Sequence, residues 1–146
     1  MVRTRVGYTG GTSPDPTYRT IGDHTEALQV DFDPDVISYR ELVELFWSSH
    51  NPSSPPWSTQ YKSSLYFHDA EQERIARETA QAWEQTSGKT VRTELREAET
   101  FYRAEDYHQK YYLRRSPDFE ELRARFDDER AFIDSTEAAR ANGAQR

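Results

Sequence analysis

The 146-residue sequence carries 26 acidic and 19 basic residues, a net charge of −7, and no cysteine. That charge repels nucleic-acid phosphates and anionic lipid, so neither nucleic acid nor a membrane surface is expected as a partner. The lack of a thiol excludes disulfides, thiolate zinc sites and a cysteine nucleophile within these residues. No window approaches about eighteen apolar residues, and no apolar run follows the basic N-terminal residues, which predicts neither a membrane span nor a signal peptide and places the chain in the cytoplasm. The length suits one domain, 1–146, able to bury roughly two thirds of its unfolded surface. With 34% apolar and 13% aromatic residues, Tyr, Trp and Phe must supply much of the core.

In chain order, Thr4 to Thr9 reads as a strand, closed by Gly10-Gly11 and the turn-rich "TSPDP". From Thr25 to Phe32, Leu28, Val30 and Phe32 alternate with Gln29 and Asp31, predicting a second strand with that apolar face buried. Ser38 to Glu41 has the spacing of a capping box, and Leu42, Leu45 and Phe46 continue a helix to about Ser49. "HNPSSPPWS" is an irregular loop. Ser63 to His68 predicts a third strand. Asp69 caps a helix with Ile75, Ala76, Ala80 and Trp83 on one stripe, ending at Gly88. Thr90 to Phe101 alternates more weakly, and "YRAEDYHQKYYLRR" is a loop leading into a short aromatic helix. Ser116-Pro117 opens a last helix bearing Phe119, Leu122 and Phe126, a C-terminal extension from about 116. Beyond Ile133 the composition predicts fraying. This order gives an α+β two-layer sandwich, a mixed β-sheet with helices packed on it.

Strand spacing puts His24 and Glu26 on one face, continuous with Leu28, Val30 and Phe32. A carboxyl group at the mouth of an apolar pocket is desolvated, which favours the protonated form that a general acid needs. Tyr8 precedes Gly10-Gly11 and Tyr61 follows the Pro-rich loop; each phenol can donate to a substrate oxygen. Any one of nine tyrosines can equally be core, and Glu26 can equally end a strand in water. His24, His50, His68 and His108 match no metal-ligand spacing, and "GYTGG" lacks the pattern of a phosphate loop, so no metal or cofactor is expected.

The segments "RVGYTGG", "PTY", "HTEALQVDFDP", "ISYRELVELFW", "TQYKSSLYFHD" and "AEDYHQKYY" occur in an order and at spacings that resemble the peptide methionine sulfoxide reductases of the A class, over roughly Val2 to Leu113. The resemblance implies reduction of the S epimer of methionine sulfoxide, in proteins or as the free amino acid, by a monomer regenerated by thioredoxin or a similar dithiol. In that family a cysteine thiolate attacks the sulfoxide, a glutamic acid protonates the departing oxygen and two tyrosine hydroxyls hydrogen-bond it. Matched segment by segment, the acid would be Glu26 and the phenols Tyr8 and Tyr61, with His24 and Trp57 beside the substrate.

The family's nucleophile lies in a Gly-Cys-Phe-Trp segment that this sequence does not contain, which predicts a preceding piece carrying a first strand and helix and no turnover by these residues alone. Two further departures stand out. The loop at Arg19 to Gly22 is compressed, and "SSPPWS" replaces a Gly-Asn-Asp segment, with Pro55 or Pro56 near the place of an aspartate and Trp57 available as apolar wall. The alternatives are a non-catalytic module that binds methionine sulfoxide or a peptide in the retained cleft, and a structural domain with an idle cleft.

Overall fold

The computed structural model describes residues 1–145. Strands β1 (Arg3–Thr9) and β2 (Thr25–Asp31) pair antiparallel along their whole length, from Arg3 opposite Asp31 to Thr9 opposite Thr25. Helix α1 (Tyr39–Ser48) starts at the predicted capping box, with the Ser38 hydroxyl accepting from the Glu41 amide and the Glu41 carboxylate accepting from the Ser38 amide. Strand β3 (Ser64–Phe67) leads into α2 (Ala70–Ser87), capped by Asp69 and closed by Gly88 at φ 69°. Strands β4 (Glu94–Glu97) and β5 (Tyr102–Arg103) follow, then short helices α3 (Phe119–Arg123), α4 (Glu129–Ile133) and α5 (Thr136–Ala144).

The architecture is α+β, but the strands form two small sheets: an antiparallel β2-β1-β5 and a parallel β3-β4 pair. Between them lies a groove of about 880 Å³ lined by β2, α1 and β3 together with Phe101. This corrects one expectation. Leu28 is 62% exposed, because no element covers it and it opens on this groove. Phe101 packs across β1 at Gly7, where a Cβ would lie 2.3 Å from its ring, so glycine is the residue that permits the approach.

Two cores support the sheets. Val43, Trp47 and Ala80 are buried between α1 and α2, and the Trp47 indole donates to the Thr79 hydroxyl at 2.9 Å, which satisfies a buried polar atom. Leu113, Phe132, Ile133 and Ala138 form the second core and are fully buried. The C-terminal stretch is therefore not frayed: Ser135 caps α5, and Ala138 and Ala139 pack inward. Small side chains let that helix lie close to its neighbours, a packing role that polar composition conceals. Arg5 on β1 donates to Asp134 at 2.8 Å, and the Thr136 hydroxyl donates to the Val2 carbonyl at 2.7 Å.

Two buried polar side chains fasten the intervening loop to β1. Gln109, fully buried, accepts from the Val6 amide at 2.8 Å and donates to the Val6 carbonyl at 2.7 Å, as a neighbouring strand would. Lys110, 3% exposed, donates to the Thr4 carbonyl at 2.6 Å and the Thr4 hydroxyl at 3.1 Å. Burial lowers its pKa to about 8; nearby Arg103, Arg5 and Arg114 push the same way and Asp134 opposes them.

Two outcomes are expected. Phe132→Ala, which empties a fully buried ring position, costs about 3–5 kcal/mol of unfolding free energy in a urea titration; a loss under ~1 kcal/mol would contradict the packing described. Because the folded pKa of Lys110 lies below its ordinary 10.5, its contribution is complete above that value and is lost as pH falls through about 8. Wild type should therefore gain stability relative to Lys110→Met between pH 7 and 10, and a flat difference would contradict the burial of its ammonium.

Candidate active site

The site begins with the loop that follows β1. Asp23 accepts from the Thr12 hydroxyl at 2.7 Å, from the Thr12 amide at 2.8 Å, and from the Ser13 amide and hydroxyl at 3.2 and 3.1 Å. These donors hold its carboxyl well below the usual carboxylate range, the Thr12 hydroxyl most strongly. His24 is 1% exposed. Its Nδ1 accepts from the Gly11 amide at 3.1 Å, which leaves Nε2 as the nitrogen that donates to the Ser13 carbonyl at 2.7 Å. At Gly11 a Cβ would stand 2.6 Å from Asp23 Oδ1 and from the His24 amide nitrogen, so the return of the loop needs glycine. His24, expected beside the substrate, is instead spent on this loop, with its ring edge-on to Tyr102 at 5.4 Å.

The start of β2 is tied to the stretch after the Pro-rich loop. The Thr25 hydroxyl donates to the Thr59 carbonyl at 2.9 Å, and the Glu26 amide donates to the Gln60 carbonyl at 3.0 Å. The Gln60 side-chain amide then donates to Glu26 Oε1 at 3.0 Å and to the Tyr61 hydroxyl at 2.9 Å. One side chain thus sets the carboxyl group and the phenol side by side. Tyr61 is 44% exposed and lies near the Tyr18 side chain. Loss of solvent, the neighbouring Tyr18 phenol and the Glu26 charge all raise its pKa, so it stays a proton donor at neutral pH.

Tyr8 is placed differently from the expectation. It lies directly across from Glu26 in the ladder, yet it is 1% exposed and its hydroxyl donates to Glu105 Oε1 at 3.1 Å. Burial, the Glu105 bond and the charges of Glu105 and Glu26 raise its pKa far above the ordinary value. A phenol so enclosed has no free donor for a ligand. The phenol that meets Tyr61 is Tyr18, 43% exposed, whose backbone amide is held by Glu105 at 3.2 Å and whose ring rests 4.8 Å from His108. Burial alone would raise the Glu105 carboxyl, but bonds from Tyr107, Tyr18 and Tyr8 bring it below its usual value. Glu105 thereby joins the buried Tyr8 to the exposed Tyr18 segment. The only sequence sign of Tyr18 is its place in "PTY"; nothing local in "AEDYH" marks Glu105.

Trp57 is 78% exposed and stacks on the Tyr61 ring with centroids 5.1 Å apart and planes 20° apart. Glu26, Gln60 and Tyr61 therefore form one connected polar set, with Tyr18 beside Tyr61 and Trp57 as an aromatic edge. It sets a carboxyl group beside a phenol, a combination suited to protonating and hydrogen-bonding a polarised oxygen. Among the described residues no three His, Cys, Asp or Glu side chains are gathered as a metal ion would require.

Known proteins resemble this chain in both sequence and fold. A family model described as peptide methionine sulfoxide reductase matches residues 1–140. A peptide methionine sulfoxide reductase of Drosophila melanogaster is 46% identical over 115 residues, covering 77% of this chain and 47% of the relative. Peptide methionine sulfoxide reductase A5 of Arabidopsis thaliana is 42% identical over 124 residues, covering 80% of this chain and 48% of the relative. The chain thus spans about half the length of these relatives. Crystallographic Mxr1 from Saccharomyces cerevisiae in reduced form superposes with a TM-score of 0.70 at 31% identity, covering 77% of this chain and 70% of that one. Methionine sulfoxide reductase A of Corynebacterium diphtheriae superposes with a TM-score of 0.65 at 29% identity, covering 77% and 63%. With nearly its whole length matched, this chain belongs to the peptide methionine sulfoxide reductase family.

Proposed function

We propose that this chain carries the proton-donating and oxygen-binding half of a methionine sulfoxide reductase site. Its substrate is oxidised methionine, in a polypeptide or free. The observation that carries the reading is the Gln60 side-chain amide, which donates to both Glu26 and the Tyr61 hydroxyl and so holds a carboxyl group beside a phenol, with Tyr18 next to Tyr61.

In the net reaction a thiolate, the sulfoxide and one proton give a thioether and a sulfenic acid. The sulfoxide sulfur gains two electrons and the thiol sulfur loses them. Oxygen leaves the sulfoxide as it acquires the proton, and Glu26 is the donor. Tyr61 and Tyr18 hydrogen-bond the oxygen as negative charge gathers on it, an interaction stronger in the transition state than in the ground state. Gln60 is a positioning residue that fixes the carboxyl and phenol relative to one another. The sequence contains no cysteine, so the thiolate is supplied by another polypeptide segment or thiol. A dithiol of the thioredoxin kind would return the sulfenic acid to thiol.

The test joins these 146 residues to the cysteine-bearing segment of a family member and follows reduction of N-acetyl-methionine sulfoxide. The S epimer should be preferred, Glu26→Gln should lower kcat by about 10²- to 10⁴-fold, and Tyr18→Phe or Tyr61→Phe by about 10²-fold. A near wild-type rate for Glu26→Gln would remove that residue from the role.

A further inference from the structure

A second cleft is bordered by the Tyr61 ring. It measures about 430 Å³ and is walled by Phe46, Pro55, Pro56, Trp57 and Tyr61 around His50. The loop that builds it is well anchored. Pro52 is fully buried, and its carbonyl accepts from the Arg92 amide at 2.7 Å. Asn51 Oδ1 accepts from the Ser53 amide at 3.2 Å and hydroxyl at 2.9 Å, and the Tyr61 amide donates to the Ser58 hydroxyl at 3.2 Å. Trp57 is thus a large aromatic held in water on an ordered loop, which is the preorganised form of a contact surface.

The central polar side chain of this cleft, His50, is already committed. His50 Nδ1 bonds the Phe46 carbonyl at 2.7 Å, while Nε2 meets the Ser63 hydroxyl at 2.9 Å and the Thr93 hydroxyl at 3.2 Å. Lys62, next to Tyr61, pairs with Glu94 at 2.8 Å. What the cleft offers a ligand is therefore mainly aromatic and proline surface, with no acidic side chain, lysine or arginine in its lining. Tyr61 is shared by both sites, its hydroxyl facing Gln60 and its ring face covered by Trp57.

We propose that this cleft is the subsite for an apolar side chain flanking the oxidised methionine, so that the preferred substrate is a sulfoxide within an apolar stretch of extended polypeptide and not the free amino acid. The proposal rests on the sulfoxide reading of the Glu26 and Tyr61 site. Its geometry follows from chain dimensions: the next Cα lies about 3.8 Å from that of the methionine and the one after about 7 Å away. A flanking side chain can therefore reach across the Tyr61 ring while the oxygen stays at its hydroxyl.

Calorimetric titration of the 146-residue chain tests this with four probes: N-acetyl-methionine S-sulfoxide amide, two heptapeptides with one central methionine S-sulfoxide flanked on both sides by leucine or by serine, and the leucine heptapeptide with unoxidised methionine. The leucine peptide should bind about 10-fold tighter than the serine peptide, the scale of burying one apolar side chain. Trp57→Ser should abolish that preference and Trp57→Phe should keep part of it; since the indole is 78% exposed, the variants are expected to fold. Equal dissociation constants for the two peptides, with the oxidised forms still bound, would overturn the subsite alone. A leucine peptide that binds equally well with unoxidised methionine, or no binding by any probe, would overturn the sulfoxide reading and the subsite with it.

Discussion

The antiparallel pairing of β1 with β2 is the constraint on which the site depends. Its register sets Tyr8 opposite Glu26 and Thr9 opposite Thr25, at the end of the ladder where both strands meet their loops. A slip of one residue would turn Glu26 to the opposite face and bring Thr25 in its place. The register is guarded from both ends. Arg3 pairs with Asp31 at one end, and His24 and Asp23 close the connecting loop onto Gly11, Thr12 and Ser13 at the other. Polar groups that sequence reasoning would offer to a ligand are here consumed in holding a strand connection, and this is what lets the next residue but one be positioned for chemistry.

The same economy explains why Tyr8 is enclosed while Tyr18, to which the sequence assigns no role, is exposed. Tyr8 is in a strand that is paired on both sides, by β2 and by β5, and its ring is enclosed; its hydroxyl finds Glu105 as a buried donor must. Tyr18 lies in a short turn outside any sheet, and Glu105 accepts from its amide too. One carboxylate therefore anchors a structural phenol and the backbone of an exposed one. Glu105 lies 97 residues from Tyr8, so no local pattern could reveal the pairing.

Much of the fold was legible because short-range physics fixes it. The Ser38 to Glu41 box, the Asp69 cap, the Gly88 stop and the alternation of β2 all appear where spacing places them. The gathering of Glu26 and Tyr61 was legible only from the resemblance, since Gln60, which joins them, bears no signature. Three features were not legible. Leu28 alternates as a buried residue yet lies on an edge strand beside an open groove, and burial is decided by what covers a strand, not by its own period. The tail after Ile133 is polar and alanine-rich, but its alanines fit against Leu113 and β1 where larger residues would not. The proline-rich loop looks like a linker, but Pro52 is in the interior and Trp57 extends the site.

The central claim is that Tyr18, and not Tyr8, shares the oxygen-binding set with Glu26 and Tyr61. It is tested most directly by titrating the 146-residue chain, and its single tyrosine-to-phenylalanine variants at 8, 18 and 61, with the separated S and R epimers of N-acetyl-methionine sulfoxide amide, reading NMR shifts at the Gln60 side-chain amide. The account expects saturable shifts with the S epimer bound more tightly, and a loss of about 3- to 10-fold for Tyr18→Phe and Tyr61→Phe, one hydrogen bond each. A larger loss for Tyr8→Phe than for Tyr18→Phe, or equal binding of the two epimers, would contradict it.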